Sequence, residues 1–182
     1  MKKIFWTVLL CVCIGVILVM IFERQNNSKI QVEPFMTFTT SAFANNTLIP
    51  SNFTCDGLNA RPELSWGNLP EGTESLAIIV DDPDAPNGDF VHWTIWNIDP
   101  SNQSGISDAI PDGAIEGVTG FGESGWIGPC PPSSMHRYFF KLYALDSFLN
   151  LEEKSNKADL IESMDGHILG ETSFIGLYER TK

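Results

Sequence analysis

Two short stretches hold the side chains best suited to binding or proton chemistry. The first reads Asp81-Asp82-Pro83-Asp84-Ala85-Pro86, and His92 follows in a run otherwise free of ionisable groups. The second runs from Gly128 through Pro129-Cys130-Pro131-Pro132-Ser133-Ser134-Met135 to His136-Arg137-Tyr138. Carboxylates accept hydrogen bonds, imidazoles donate or accept, and proline-rich turns hold such groups in few orientations. Together these groups could bind an anion. Through Asp82, Asp84, His92 and His136 they could also ligate a metal and serve a metal-dependent hydrolase. With Ser133 or Ser134 a nucleophilic triad could be drawn. The spacing matches no standard zinc signature, and the serines lack a nucleophile-elbow pattern. Each feature alone has a plainer explanation. Asp-Pro-Asp is a common turn, a lone histidine in an apolar strand is usually a satisfied core residue, and His136 stands where a strand begins. Two carboxylates and two histidines at two rigid loop–strand junctions argue for one shared site.

The rest of the chain must position them. Turn formers recur at Asp56-Gly57, Pro70-Glu71-Gly72, Pro86-Asn87-Gly88 and Asp112-Gly113, with short apolar runs between. That is the pattern of a mainly β domain. Leu76 to Val80 reads as a buried strand and Phe90 to Ile98 as another. Tyr138 to Leu145 alternates, with Phe139, Lys141 and Tyr143 on one face and Tyr138, Phe140, Leu142 and Ala144 on the other. Period-two counting puts His136 and Tyr138 on the same side. Thr172 to Tyr178 reads as a last strand. One helix is expected: Asn156 caps it, Asp159 reciprocates, and Leu160, Ile161, Met164 and Ile168 form its apolar stripe, with Gly166 interrupting. Residues 102–128 read as a long loop.

Composition narrows the function. The chain is 43% hydrophobic, enough for a folded core, and carries a net charge of −12. Lys2, Lys3, Arg24 and Lys29 lie ahead of residue 35, so the remainder is more acidic still. A domain that acidic repels polyphosphate, which excludes nucleic acid as a partner. Ile4 to Phe22 carries no charge. At about 1.5 Å per residue, a helix over that run nearly spans a hydrocarbon core of about 30 Å. The expected organisation is therefore a transmembrane anchor over 1–24, a polar linker over 25–34 and a domain over 35–182. Lys2 and Lys3 would hold the N-terminus in the cytoplasm, placing the domain on the periplasmic or extracellular side and the membrane among its partners.

The motifs then become specific. Asp82-Pro83-Asp84-Ala85-Pro86 with His92-Trp93, and Gly128-Pro129 through His136-Arg137-Tyr138, resemble the two signature motifs of the phosphatidylethanolamine-binding family. The match is closer to its bacterial and archaeal branch, the Raf-kinase-inhibitor-like proteins. Cys55-Asp56-Gly57, Leu64-Ser65-Trp66, Gly128 to Pro132, Tyr143 to Asp146 and Gly166 to Leu169 all resemble that branch. Residues 61–63 and 115–125 depart from its pattern and are expected near the pocket mouth.

The resemblance implies a β-sandwich-like fold with a large central antiparallel sheet, a smaller second sheet and peripheral helices. It implies a non-catalytic binding protein, without a cofactor, that takes a phosphate-like anion or a phospholipid head group and regulates through a protein partner. The pocket lining carries over onto Asp82, Asp84, His92, Gly128, His136 and Tyr138. The carboxylates would accept from the imidazoles and raise their pKa values, leaving the other ring nitrogens for the anion. Cys55 and Cys130, the only cysteines of the domain, are expected to pair if the compartment is oxidising.

Overall fold

Alternating apolar and polar residues draw the chain into two sheets, seen in a computed structural model that describes residues 35–102, 105–107 and 109–180. In chain order the elements are β1 (Thr37–Thr40), β2 (Thr47–Leu48), β3 (Leu64–Gly67), β4 (Ser75–Asp82), β5 (Phe90–Ile98), β6 (Ile115–Glu116), β7 (His136–Leu145), α1 (Lys157–Met164) and β8 (Ile168–Tyr178). β1 and β3 form a two-stranded antiparallel sheet. The other six form the large sheet in the order β2-β8-β7-β4-β5-β6. It is antiparallel except at one edge, where β2 runs parallel to β8.

Both faces of β4 are buried, as its unbroken apolar run requires. Leu76, Ile78 and Val80 pack with Ile95, Phe140, Leu142 and Phe174, and Phe38 and Leu64 of the small sheet cover them. Ala77, Ile79 and Trp96 lie on the other face under Leu160 and Met164 of α1. The helix starts where its cap stands. The Asn156 side chain accepts from the Ala158 and Asp159 N–H groups, and the Asp159 carboxylate accepts the Asn156 N–H at 2.8 Å. It is short, and Ile168 belongs to β8 rather than to an apolar stripe of the helix. The stretch read as a long loop contributes β6 to the sheet edge.

β4 joins the two motifs. It pairs with β7 on one side and β5 on the other. Val80 opposes Trp93 while Asp81 opposes Val91, which leaves His92 as the extra residue of a bulge. A bulge re-aims the side chain it carries.

The membrane helix needs correction. Among the described residues no helix is long and apolar enough to cross a membrane. The one α-helix there has eight residues, about 12 Å, well short of a bilayer core. The run Ile4 to Phe22 lies outside the described residues. Among the described residues the fold is the two-sheet β domain with no such helix, and the membrane-anchored placement and membrane contact drawn from that run are corrected with it.

Candidate functional site

β4 delivers its last two carboxylates to opposite faces, because side chains alternate along a strand. Asp81 turns toward α1 and meets Lys141 at 2.6 Å and also Lys157. Asp82 turns the other way, with its side chain 5% exposed. Its Oδ2 accepts from Nδ1 of His136 at 2.7 Å, and its Oδ1 accepts the Asp84 N–H at 2.9 Å. A carboxylate only accepts, so Nδ1 carries the hydrogen and the His136 ring is oriented by it.

Asp84 is engaged differently. It takes the Arg137 guanidinium at 2.8 and 2.7 Å and the Arg137 N–H at 3.0 Å. The guanidinium lowers its pKa from the ordinary 3.8 to about 2. Asp84 therefore ties the Pro83–Pro86 turn to the start of β7 and does not line the cavity.

His92 donates from Nδ1 to the Ile127 carbonyl at 2.7 Å. Its ring packs edge-on at 4.9 Å from Phe90 and 5.1 Å from Tyr138. Burial lowers its pKa below the usual histidine value, against the Ile127 carbonyl and the charges of Asp82, Asp81 and Asp89. The expectation that the carboxylates raise both imidazole pKa values is thus wrong for His92. Its partner is a neutral carbonyl, and desolvation of the charged ring dominates.

Tyr138 lies between the two rings and is fully buried. Its hydroxyl has no partner among the described residues, and burial pushes its pKa well up. Gly128 donates its N–H to Asn59 Oδ1 at 2.7 Å. A Cβ there would stand 2.5 Å from that oxygen and 2.6 Å from the Phe53 carbonyl, so only glycine fits.

These groups frame a cavity of about 130 Å³. Of the six expected lining residues, Asp82, His92, Gly128 and His136 stand on its wall, while Asp84 and Tyr138 support it from outside. Pro86, Cys130, Pro131 and Pro132, already inside the motifs, complete the wall together with Ala85, Phe90, Phe121 and Ile127. Phe121 comes from the departing segment 115–125 and is 73% exposed, and no local signal in its loop marks it. Arg61, also in a departing segment, is not on the wall; its guanidinium lies 4.6 Å over the Trp93 ring and 3.7 Å from Glu116.

The wall is braced from behind. Cys55 and Cys130 are joined in a disulfide with Cα atoms 5.4 Å apart, and the Cys55 N–H donates to the Pro129 carbonyl at 3.1 Å. Asp56 accepts from the Tyr178 hydroxyl at 2.7 Å and from Arg180 at 2.8 Å. Among the described residues no three His, Cys, Asp or Glu side chains are grouped to hold a metal ion. The Ser134 hydroxyl donates to the Ser133 carbonyl at 2.6 Å, and neither serine lines the cavity.

Known proteins share this architecture. A UPF0098 protein of Methanothermobacter thermautotrophicus is 49% identical over 150 residues, covering 80% of this chain and 99% of the relative. One from Pyrococcus horikoshii is 42% identical over 151 residues, covering 78% of this chain and 75% of the relative. Among solved structures, a putative phosphatidylethanolamine-binding protein homologue of Chlamydia trachomatis superposes with a TM-score of 0.77 at 37% identity, over 81% of this chain and 99% of the other. YbcL of E. coli, described as a new member of the mammalian PEBP family, gives 0.74 at 28% identity, over 81% of this chain and 100% of the other. The family described as phosphatidylethanolamine-binding protein matches residues 39–179. With that span matched and the two motifs folded into one walled cavity, the chain belongs to the phosphatidylethanolamine-binding protein family.

Proposed function

We propose that this domain is a non-catalytic binding protein whose cavity takes a phosphate-like anion, free or as the end of a phosphorylated head group. One observation carries the reading. His92 and His136 each commit Nδ1 to a protein acceptor and line the same small cavity. In neither ring does Nε2 have a partner among the described residues, and neither atom is among the buried unpartnered ones. Nε2 is thus the nitrogen each ring has left for a ligand, with the rings held at fixed angles by Asp82 and by the Ile127 carbonyl. A space of about 130 Å³ suits a group of phosphate size. Pockets for drug-sized molecules run to about 300–1,000 Å³. Exposed Phe121, on the cavity wall, offers apolar surface to a protein partner.

Calorimetric titration of the purified chain with inorganic phosphate tests the reading. Binding is expected, and His136→Ala should weaken it at least about tenfold, the worth of one hydrogen bond to a charged group. Unchanged affinity in that variant, with the fold intact by circular dichroism, would move the anion elsewhere.

A further inference from the structure

An anion cavity needs donors, and several N–H groups of this wall are missing or already given. Pro86, Pro131 and Pro132 carry no N–H. The Gly128 N–H is given to Asn59 and the Ile127 N–H to the His92 carbonyl. Acceptors are better represented. Each Asp82 oxygen holds one hydrogen bond and keeps a second lone pair. Because the Ile127 carbonyl can only accept, the His92 hydrogen sits on Nδ1, and in a neutral ring Nε2 is an acceptor facing the cavity. The groups facing that ring are Asp82 from β4 and His136 and Tyr138 from β7, with Asp81 and Asp89 acting through charge. Burial of the ring outweighs the carboxylates and favours its neutral form.

An anion that brings no hydrogen would set its oxygens against the His92 lone pair and the Asp82 carboxylate, a repulsive pairing between buried groups. An anion that carries one hydrogen satisfies it. We propose that the cavity selects phosphate groups bearing a P–OH, namely phosphate monoesters and inorganic phosphate, over phosphodiesters and sulfates, with Nε2 of His92 accepting that hydrogen. The proposal rests on the phosphate-binding reading above and narrows it. It makes His92 the residue that sets specificity. It also disfavours the diester of an intact phospholipid as the bound phosphate.

Three small probes isolate the hydrogen. Methyl phosphate, dimethyl phosphate and methyl sulfate all carry one negative charge near pH 5, below a second phosphate pKa of about 6, and only the first has a hydroxyl on its anionic group. Titrated into the whole chain in steps from about pH 5 to about pH 6.5, methyl phosphate should bind at least about tenfold tighter than the other two wherever it keeps its hydrogen and the His92 ring is neutral. Near pH 8 it loses its hydrogen, and the advantage should disappear. Inorganic phosphate, run alongside, distinguishes a free anion from an ester as the preferred source. His92→Leu, which offers no acceptor, should bring the three probes to similar affinity; should that variant fail to fold, the comparison on the unmutated chain decides alone. Equal affinity for the three probes at every step from about pH 5 to about pH 6.5 overturns the proposal and leaves the anion reading standing. No binding of any probe overturns both.

Discussion

His136 and Asp84 show how neighbouring residues take different work. His136 is oriented by a buried carboxylate and lines the cavity, while Asp84 is clamped by Arg137 and only shapes the turn. The clamp has a pH signature. Asp84 titrates at about 2 when folded against an ordinary 3.8. A depressed carboxylate contributes stability that is present above the unfolded value and is lost as pH falls through the folded one. Asp84→Asn should therefore lower stability at neutral pH and reduce its acid dependence between about pH 4 and pH 2. Urea melts of both proteins across that range measure it; parallel curves would show that the ion pair is too solvated to contribute.

At the scale of elements, the sheet builds the site and the helix only supports the sheet. α1 lies on the face of β4 opposite the cavity, covering Ala77 and Ile79. Its start depends on the reciprocal cap between Asn156 and Asp159. Asn156→Ala should cost about 1 kcal/mol in chemical denaturation. Phosphate affinity should not change, because neither residue touches the cavity wall. A loss of affinity matching the loss of stability would show that the helix reaches the site through β4.

For the molecule as a whole, the disulfide joins segments that nothing local would hold together. Cys55 and Cys130 are 75 residues apart, and the bond fixes the turn that carries Asn59 against the loop that carries Gly128. Closing so long a loop restricts the unfolded chain. Reduction, or Cys55→Ala with Cys130→Ala, should lower stability by about 2–4 kcal/mol, read from denaturation midpoints with and without a thiol reductant. Identical midpoints would mean that Asp56, with its bonds to Tyr178 and Arg180, holds the turn without help.

Much of this was legible before folding. The alternation in β7, the unbroken apolar run of β4 and the cap of α1 are local patterns, and they follow from strand and helix periodicity. The family resemblance carried by the two motifs named Asp82, Asp84, His92, Gly128, His136 and Tyr138, of which Asp82, His92, Gly128 and His136 stand on the cavity wall. Local pattern also misled, where the charge-free run Ile4 to Phe22 stood for a membrane anchor that no helix among the described residues supplies. Direction and partnership were decided only in three dimensions. Sequence spacing does not say that a bulge opposite Val80 and Asp81 frees His92 from the register, or that its ring meets the Ile127 carbonyl instead of a carboxylate. Nor does it say that Asp84 turns to Arg137, or that Phe121 arrives at the mouth from a distant loop. The physical reason is common to all of these. Which hydrogen-bond partner a buried group finds, and whether burial or charge sets its pKa, depends on segments far apart in sequence that only the sheet brings together.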